Sequence, residues 1–134
     1  MLSYALIAII VLCIVMSIRT LFIPNRIKGK KLSFENFIVL ASIYLTVMVG
    51  FGLIYFLMES RGFQMLLEGA AIKSTTQLER LGTSLYFSAV TLFSVGYGDI
   101  SPVGAGRLLA VAEALIGYTI PAAFVARTVI DRER

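Results

Sequence analysis

The sequence has no histidine and no tryptophan, a single cysteine, three prolines and few charges, 15% of its residues. Without histidine, neither a Ser-His-Asp nor a Cys-His catalytic site can form within one chain type. The lone thiol, Cys13, sits inside an apolar run, so a disulfide framework and a metal cluster are both excluded. No nucleophile-base pair or metal-ligand set appears, which disfavours a membrane enzyme, and no cofactor is expected. The excess of four positive charges is modest. No basic stretch is interleaved with aromatic residues, so nucleic acid is a poor partner. What is present is apolar: 58% of the residues, with a mean hydropathy of +0.88. A soluble chain of 134 residues would put much of that surface in water, so the composition predicts a membrane protein.

Leu2 to Ile23 is 22 residues with one charge, Arg19, near its end. At a rise of about 1.5 Å per residue this crosses a hydrocarbon core of roughly 30 Å. A secretory signal peptide is the rival reading, but Met1-Leu2-Ser3 supplies no base and no cleavage site follows Ile23. Residues 1–23 are therefore expected to form an N-terminal transmembrane helix. One arginine is not an arginine-helix voltage sensor. Pro24-Asn25 stops the helix, and Arg26, Lys28, Lys30 and Lys31 follow. Residues 24–36 read as a basic cytoplasmic loop, with contact to anionic lipid headgroups as the sharper alternative. Ser33 is a candidate cap for the next helix, with Asn36 three residues on.

Phe37 to Met58 has no charge and is the clearest span. Gly50, Gly52, Ala41 and Ser42 would let a neighbour approach closely. Tyr55 and Phe56, near its end, are expected at the interface. Residues 59–81 form a polar connection in which Glu59, Glu68 and Glu79 balance Arg61, Lys73 and Arg80. A short helix from Phe63 to Ala71 is one expectation there. Gly82 to Phe93 is apolar but too short to span, and Thr83 or Ser84 can cap it. Irregular backbone at membrane depth must be buried in protein or line a wet cavity. This half-helix and the glycine-rich stretch after it thus read as one re-entrant loop. Residues 107–127 are expected to form the last span, and no soluble ligand domain is expected in the short tail Thr128 to Arg134.

Base placement sets orientation. Arg19, Arg26, Lys28, Lys30 and Lys31 surround the first connection, whereas the second is balanced. The first loop is then cytoplasmic, the N-terminus outside, and the tail with Arg127, Arg132 and Arg134 inside. The glycine-rich stretch falls at the outer mouth of a multi-pass plasma-membrane protein.

That stretch is Ser94-Val95-Gly96-Tyr97-Gly98-Asp99. Glycines at alternate positions permit positive φ, so successive carbonyls can point toward one axis. A file of inward carbonyls can replace the water shell of a cation. The string resembles the potassium-channel pore signature Thr-Val-Gly-Tyr-Gly-Asp, with Ser94 where that family usually has threonine. A glycine turn joining two spans is the bland alternative. A phosphate loop is excluded, because the Gly-x-Gly-x-x-Gly spacing and a Gly-Lys-Ser/Thr ending are both missing.

The chain is therefore identified as a member of the bacterial pore-loop potassium channels, with an extra N-terminal transmembrane helix. The resemblance covers residues 37–127 as a pore domain: outer helix 37–58, turret 59–81, pore helix 82–93, filter 94–99 and inner helix 107–127. It implies an all-α membrane protein, a homotetramer in membrane lipid. It implies potassium, as permeant ligand only, bound by the carbonyls of Ser94, Val95, Gly96 and Tyr97. The Ser94 hydroxyl would close the innermost site and Gly98 would turn the chain back. Phe93 stands where relatives often carry threonine, and Val90 where some bacterial relatives carry an acid that pairs with the mouth aspartate. Tyr86, one turn earlier, is the expected substitute donor to Asp99. Lacking the methyl that restricts threonine, Ser94 is expected to make a looser site, and Ser94→Thr to keep conduction and leave selectivity equal or sharper. A weakly selective cation channel and a non-conducting membrane interaction subunit are the alternatives.

Pro121 removes a backbone donor and clashes with the carbonyl of Gly117, so the pair marks either a gating hinge or a fixed kink. Glu113 is an acid within the last span. It is expected to hydrogen-bond to the pore helix through Ser84 or Ser88, in protonated form, or else to sense pH. Phe124, Val125 and Val129 are candidates for an inner constriction.

Overall fold

A computed structural model describes residues 2–22, 34–69 and 76–130. Within them run four helices and two short strands: α1 (Leu2–Phe22), α2 (Phe34–Ser60), β1 (Leu66–Glu68), α3 (Gln77–Leu92), β2 (Ile100–Pro102) and α4 (Gly106–Ile130). Two helices have the length and composition of membrane spans, over Phe37–Ser60 and Gly106–Arg127, with mean hydropathies of 2.4 and 1.8. In α1 the apolar helical stretch covers Tyr4–Ser17.

The long α2 is the scaffold. Ile43, Val47, Phe51, Ile54 and Tyr55 recur at helical spacing and are buried against Phe87 and Leu92 of α3 and Ala110 and Ile120 of α4. Ile14 of α1 joins the same cluster, so α2 also receives α1. A Cβ added at Gly50 would lie 2.6 Å from Ile14 Cδ1, and one at Gly52 would lie 3.0 Å from the Leu85 Cα. Two glycines two positions apart thus face two different neighbours, so α2 can be approached closely from both flanks. Arg61 lies over the Tyr4 ring at 3.8 Å, tying the start of α1 to the end of α2. The hydroxyls of Ser42, Thr46 and Ser60 donate to carbonyls one turn back, so these polar atoms are satisfied inside the helix.

The segment expected to be helical from Phe63 to Ala71 holds a strand instead. Leu66, Leu67 and Glu68 pair antiparallel with Pro102, Ser101 and Ile100. Ladder bonds use the main-chain groups a helix would need. Val103 N donates to Met65 O at 2.8 Å and Gly69 N to Asp99 O at 3.1 Å, extending the clip at both ends. The fold is mostly helical, with this two-stranded ladder added to the expected helices.

Helix limits differ from those read off hydropathy. The half-helix starts at Gln77 rather than at 82, because Thr76 caps it. The Thr76 hydroxyl accepts from Glu79 N at 3.3 Å and Glu79 Oε2 accepts from Thr76 N at 3.0 Å, a complete capping box. Thr83 and Ser84, the expected caps, lie within the helix. The outer span is longer at both ends than 37–58, and the last helix exceeds 107–127. Ser33 and most of the basic loop 24–36 lie outside the described residues, as do Lys73 and the tail from 131.

Candidate pore loop

The C-terminal end of α3 builds the loop. Phe93 N donates to Ala89 O and Ser94 N to Thr91 O, both at 3.0 Å. The chain then reverses so that Val95 N and Gly96 N both reach the Val90 carbonyl, at 2.9 and 3.4 Å. Val90, which stands where some members of the resembled family carry an acid, contributes a backbone anchor.

Handedness alternates along the loop. Ser94, Gly96 and Gly98 have φ of 56°, 60° and 80°, whereas Val95 and Tyr97 between them stay on the negative side. Alternating left- and right-handed residues turn successive peptide planes the same way, which a uniform strand cannot do. Donors are spent on the helix end, and among the described residues no main-chain N–H reaches the carbonyls of 94 to 97. Residues 93 to 99 are exposed on the single chain, and Tyr97 projects with 71% of its surface free. The two glycines were legible as positive-φ positions, but the left-handed Ser94 was not.

Asp99 follows the last left-handed residue, and the Tyr86 hydroxyl of α3 lies close to its carboxylate. The Asp99 carboxylate beside it, with some desolvation, pushes the Tyr86 phenol up from its ordinary value near 10. The structure thus brings Tyr86 and Asp99 together.

Behind α3 lies Glu113 of α4, fully buried. Its Oε2 accepts from the Tyr55 hydroxyl of α2 at 3.0 Å, and its Oε1 meets the Ser88 hydroxyl of α3. Ser88 Oγ also lies 2.8 Å from the Met48 carbonyl. One carboxyl group therefore joins three helices. Ser84, the other expected partner, is buried with no hydrogen-bond partner among the described residues. Tyr55 is not at an interface: it is fully covered, and its ring meets Phe87 edge-on at 5.2 Å. An acid in an apolar helix needs a donor, and that requirement outweighs the aromatic preference for the interface.

Gly117 packs onto the end of α3, where an added Cβ would run into the Leu92 carbonyl. Its own carbonyl accepts from the Tyr44 hydroxyl at 2.8 Å. The Tyr44 ring stacks on Phe93, with centroids 5.3 Å apart and planes within 8°. Sequence reasoning missed Tyr44. The available signal was that Tyr44 and Tyr55 stand about three turns apart, on one face of α2. Phe124 and Val125 lie on the last turns of α4, and the side chain of Val129 is outside the described residues.

Two membrane-length apolar helices flank a half-length helix and a loop whose carbonyls accept no main-chain bond among the described residues, the layout of a pore-loop membrane protein. Residues 43–131 match the family described as "Ion channel", which takes in most of α2 and all of α3, the loop and α4. The chain belongs to that ion-channel family. It is also 38% identical over 132 residues to Protein LctB of Geobacillus stearothermophilus, covering 98% of each chain. To Protein LctB of Bacillus caldotenax it is 40% identical over 129 residues, covering 96% of each. These alignments extend through α1, which lies outside the family match. No solved structure matches the chain.

Proposed function

We propose that this ion channel is potassium-selective and conducts passively as a homotetramer, through a filter made by residues 94 to 99 of four copies. One observation carries the reading: φ alternates from Ser94 to Gly98 while the carbonyls of Ser94, Val95, Gly96 and Tyr97 accept no main-chain bond among the described residues. Four such files around an axis supply stacked oxygen rings that accept a dehydrated potassium ion in place of its water. The Ser94 hydroxyl closes the innermost ring. Asp99, held by Tyr86, adds negative charge at the mouth, and the carboxyl end of α3 favours a cation beneath it.

Fourfold assembly follows from one loop per chain and a closed ring. It is supported by an uncovered stripe on α4, where Leu108, Val111, Leu115 and Tyr118 recur every three or four residues with most of their surface free. In the assembly this stripe faces the neighbouring copies and the ion path. The first helix adds a further span, the N-terminus lies outside, and potassium is the only ligand required. Bending at Gly117 and Pro121 is the gate motion in this reading.

Purified protein in potassium-loaded vesicles provides the test, with flux compared for potassium and sodium and with barium as blocker. Barium-sensitive potassium efflux with little sodium entry is expected. Equal potassium and sodium flux would assign the weakly selective alternative. Silence from a fully assembled tetramer would assign a non-conducting subunit.

A further inference from the structure

The carbonyl of Gly117 poses an accounting problem. In an α-helix it would accept from the amide four residues on, and that residue is Pro121, which has no N–H. In a membrane helix a carbonyl freed by proline is re-satisfied by a neighbouring helix, a side chain, an ordered water or a local change of helix geometry. Here the donor comes from a neighbouring helix. Tyr44 of α2 provides it: its hydroxyl donates to the Gly117 oxygen at 2.8 Å.

The same tyrosine touches the other side of the site. Its ring lies flat on Phe93, the residue between the end of α3 and the left-handed Ser94. Gly117 itself is pressed against the Leu92 carbonyl, one residue before Phe93. The proline-freed turn of α4, the foot of the loop and one side chain of α2 therefore share a single contact cluster.

We propose that Tyr44 is a positioning residue for conduction, standing in for the amide that Pro121 lacks and locking the bend of α4 to the foot of the filter through Phe93. The proposal rests on the pore reading above and adds to it a coupling between inner helix and filter. With the Tyr44 hydroxyl bonded to Gly117, a change of bend at residues 117 to 121 must either break that bond or draw the tyrosine ring across Phe93. The adjacent Ser94 sits in a sparsely allowed conformation, so the conformation of the inner helix reaches the innermost ring.

A double-mutant cycle on the full-length protein tests this. Tyr44→Phe keeps the ring and removes the donor. Pro121→Ala restores the amide, so Gly117 no longer needs the tyrosine. Tyr44→Phe should change single-channel open probability by on the order of tenfold with Pro121 present, and by less than about twofold in the Pro121→Ala background. The melting temperature of the purified protein should show the same non-additivity. Phe93→Leu, which keeps the donor and removes the stack, should abolish the effect of Tyr44→Phe on open probability while leaving its effect on melting. Equal effects of Tyr44→Phe in both backgrounds would overturn the proposal. So would non-additive melting with unchanged gating, which would make the bond structural only. A wild-type protein that does not conduct would sink the channel reading and this proposal together. Conduction with an additive cycle would sink the proposal alone.

Discussion

Ser94 shows how one torsion angle reverses an expectation. On side-chain chemistry alone, threonine looks like the stiffer version of serine, and Ser94→Thr looks harmless. At a φ of 56° the comparison changes. A β-branched residue in the left-handed region is a conformational outlier, and holding such a state costs about 1–3 kcal/mol. We expect Ser94→Thr to lower single-channel conductance and melting temperature, whereas Ser94→Gly relieves the strain at the cost of the hydroxyl. Unchanged conductance and stability in Ser94→Thr would mean that residue 94 leaves the left-handed region on assembly. Tyr86 carries the pH prediction. Its phenol lies beside the Asp99 carboxylate and is raised above its ordinary value. A raised value keeps the proton on the hydroxyl, so the contact is fully present below the unperturbed value and is lost only as pH climbs through the raised one. Conductance measured against external pH should carry no step from Tyr86 between neutrality and about pH 10. Tyr86→Phe should alter conductance at neutral pH by freeing the Asp99 carboxylate, and a variant identical to wild type would remove Tyr86 from the mouth.

At the scale of elements, three helices meet at a carboxyl group. Glu113 contacts Ser88 of α3 and Tyr55 of α2, and Ser88 in turn reaches Met48 of α2. Glutamine offers an amide donor to Ser88 and a carbonyl to Tyr55 with nearly the same shape. Leucine leaves the buried Tyr55 hydroxyl without its acceptor, at a cost of about 1–3 kcal/mol. Thermal melts should therefore rank wild type close to Glu113→Gln and well above Glu113→Leu. A Glu113→Leu protein that melts with wild type would show that the helices are held by apolar packing alone. Glu113 itself was legible, since a charge inside an apolar span announces a partner. Its partners were only partly so: Ser88 was one of two candidates, while Tyr55 was assigned to an interface. The first turn of α3 was also missed, because Gln77, Glu79 and Arg80 carry no hydropathy signal. Only the Thr76–Glu79 spacing marked the start. The strand pair left no signal at all, since three residues on each side find each other across the whole pore loop.

For the whole molecule, one apolar surface stays open on the single chain. The stripe Leu108, Val111, Leu115, Tyr118 on α4 has no cover from the other described elements. If the proposed tetramer is sealed by this face, Leu115→Arg should place a charge there at a cost of about 2.5–3.5 kcal/mol and reduce the tetramer fraction seen by native mass spectrometry or cross-linking. Undiminished assembly would mean that another face joins the copies. Composition and local pattern were enough to set the broad outcome. Uncharged runs long enough to cross a bilayer have little choice but to become helices, because lipid offers no partner to an open backbone. Alternate glycines after a half-helix likewise announce a loop of unusual handedness. These properties depend on neighbours along the chain, and the sequence by itself determined them. Contacts across the fold were decided only by tertiary structure: Tyr44 on the carbonyl freed by Pro121, Tyr55 on Glu113, Gly117 against Leu92, and the left-handed turn at Ser94. Each depends on how α2, α3 and α4 pack, and packing brings together groups whose separation along the chain carries no local trace.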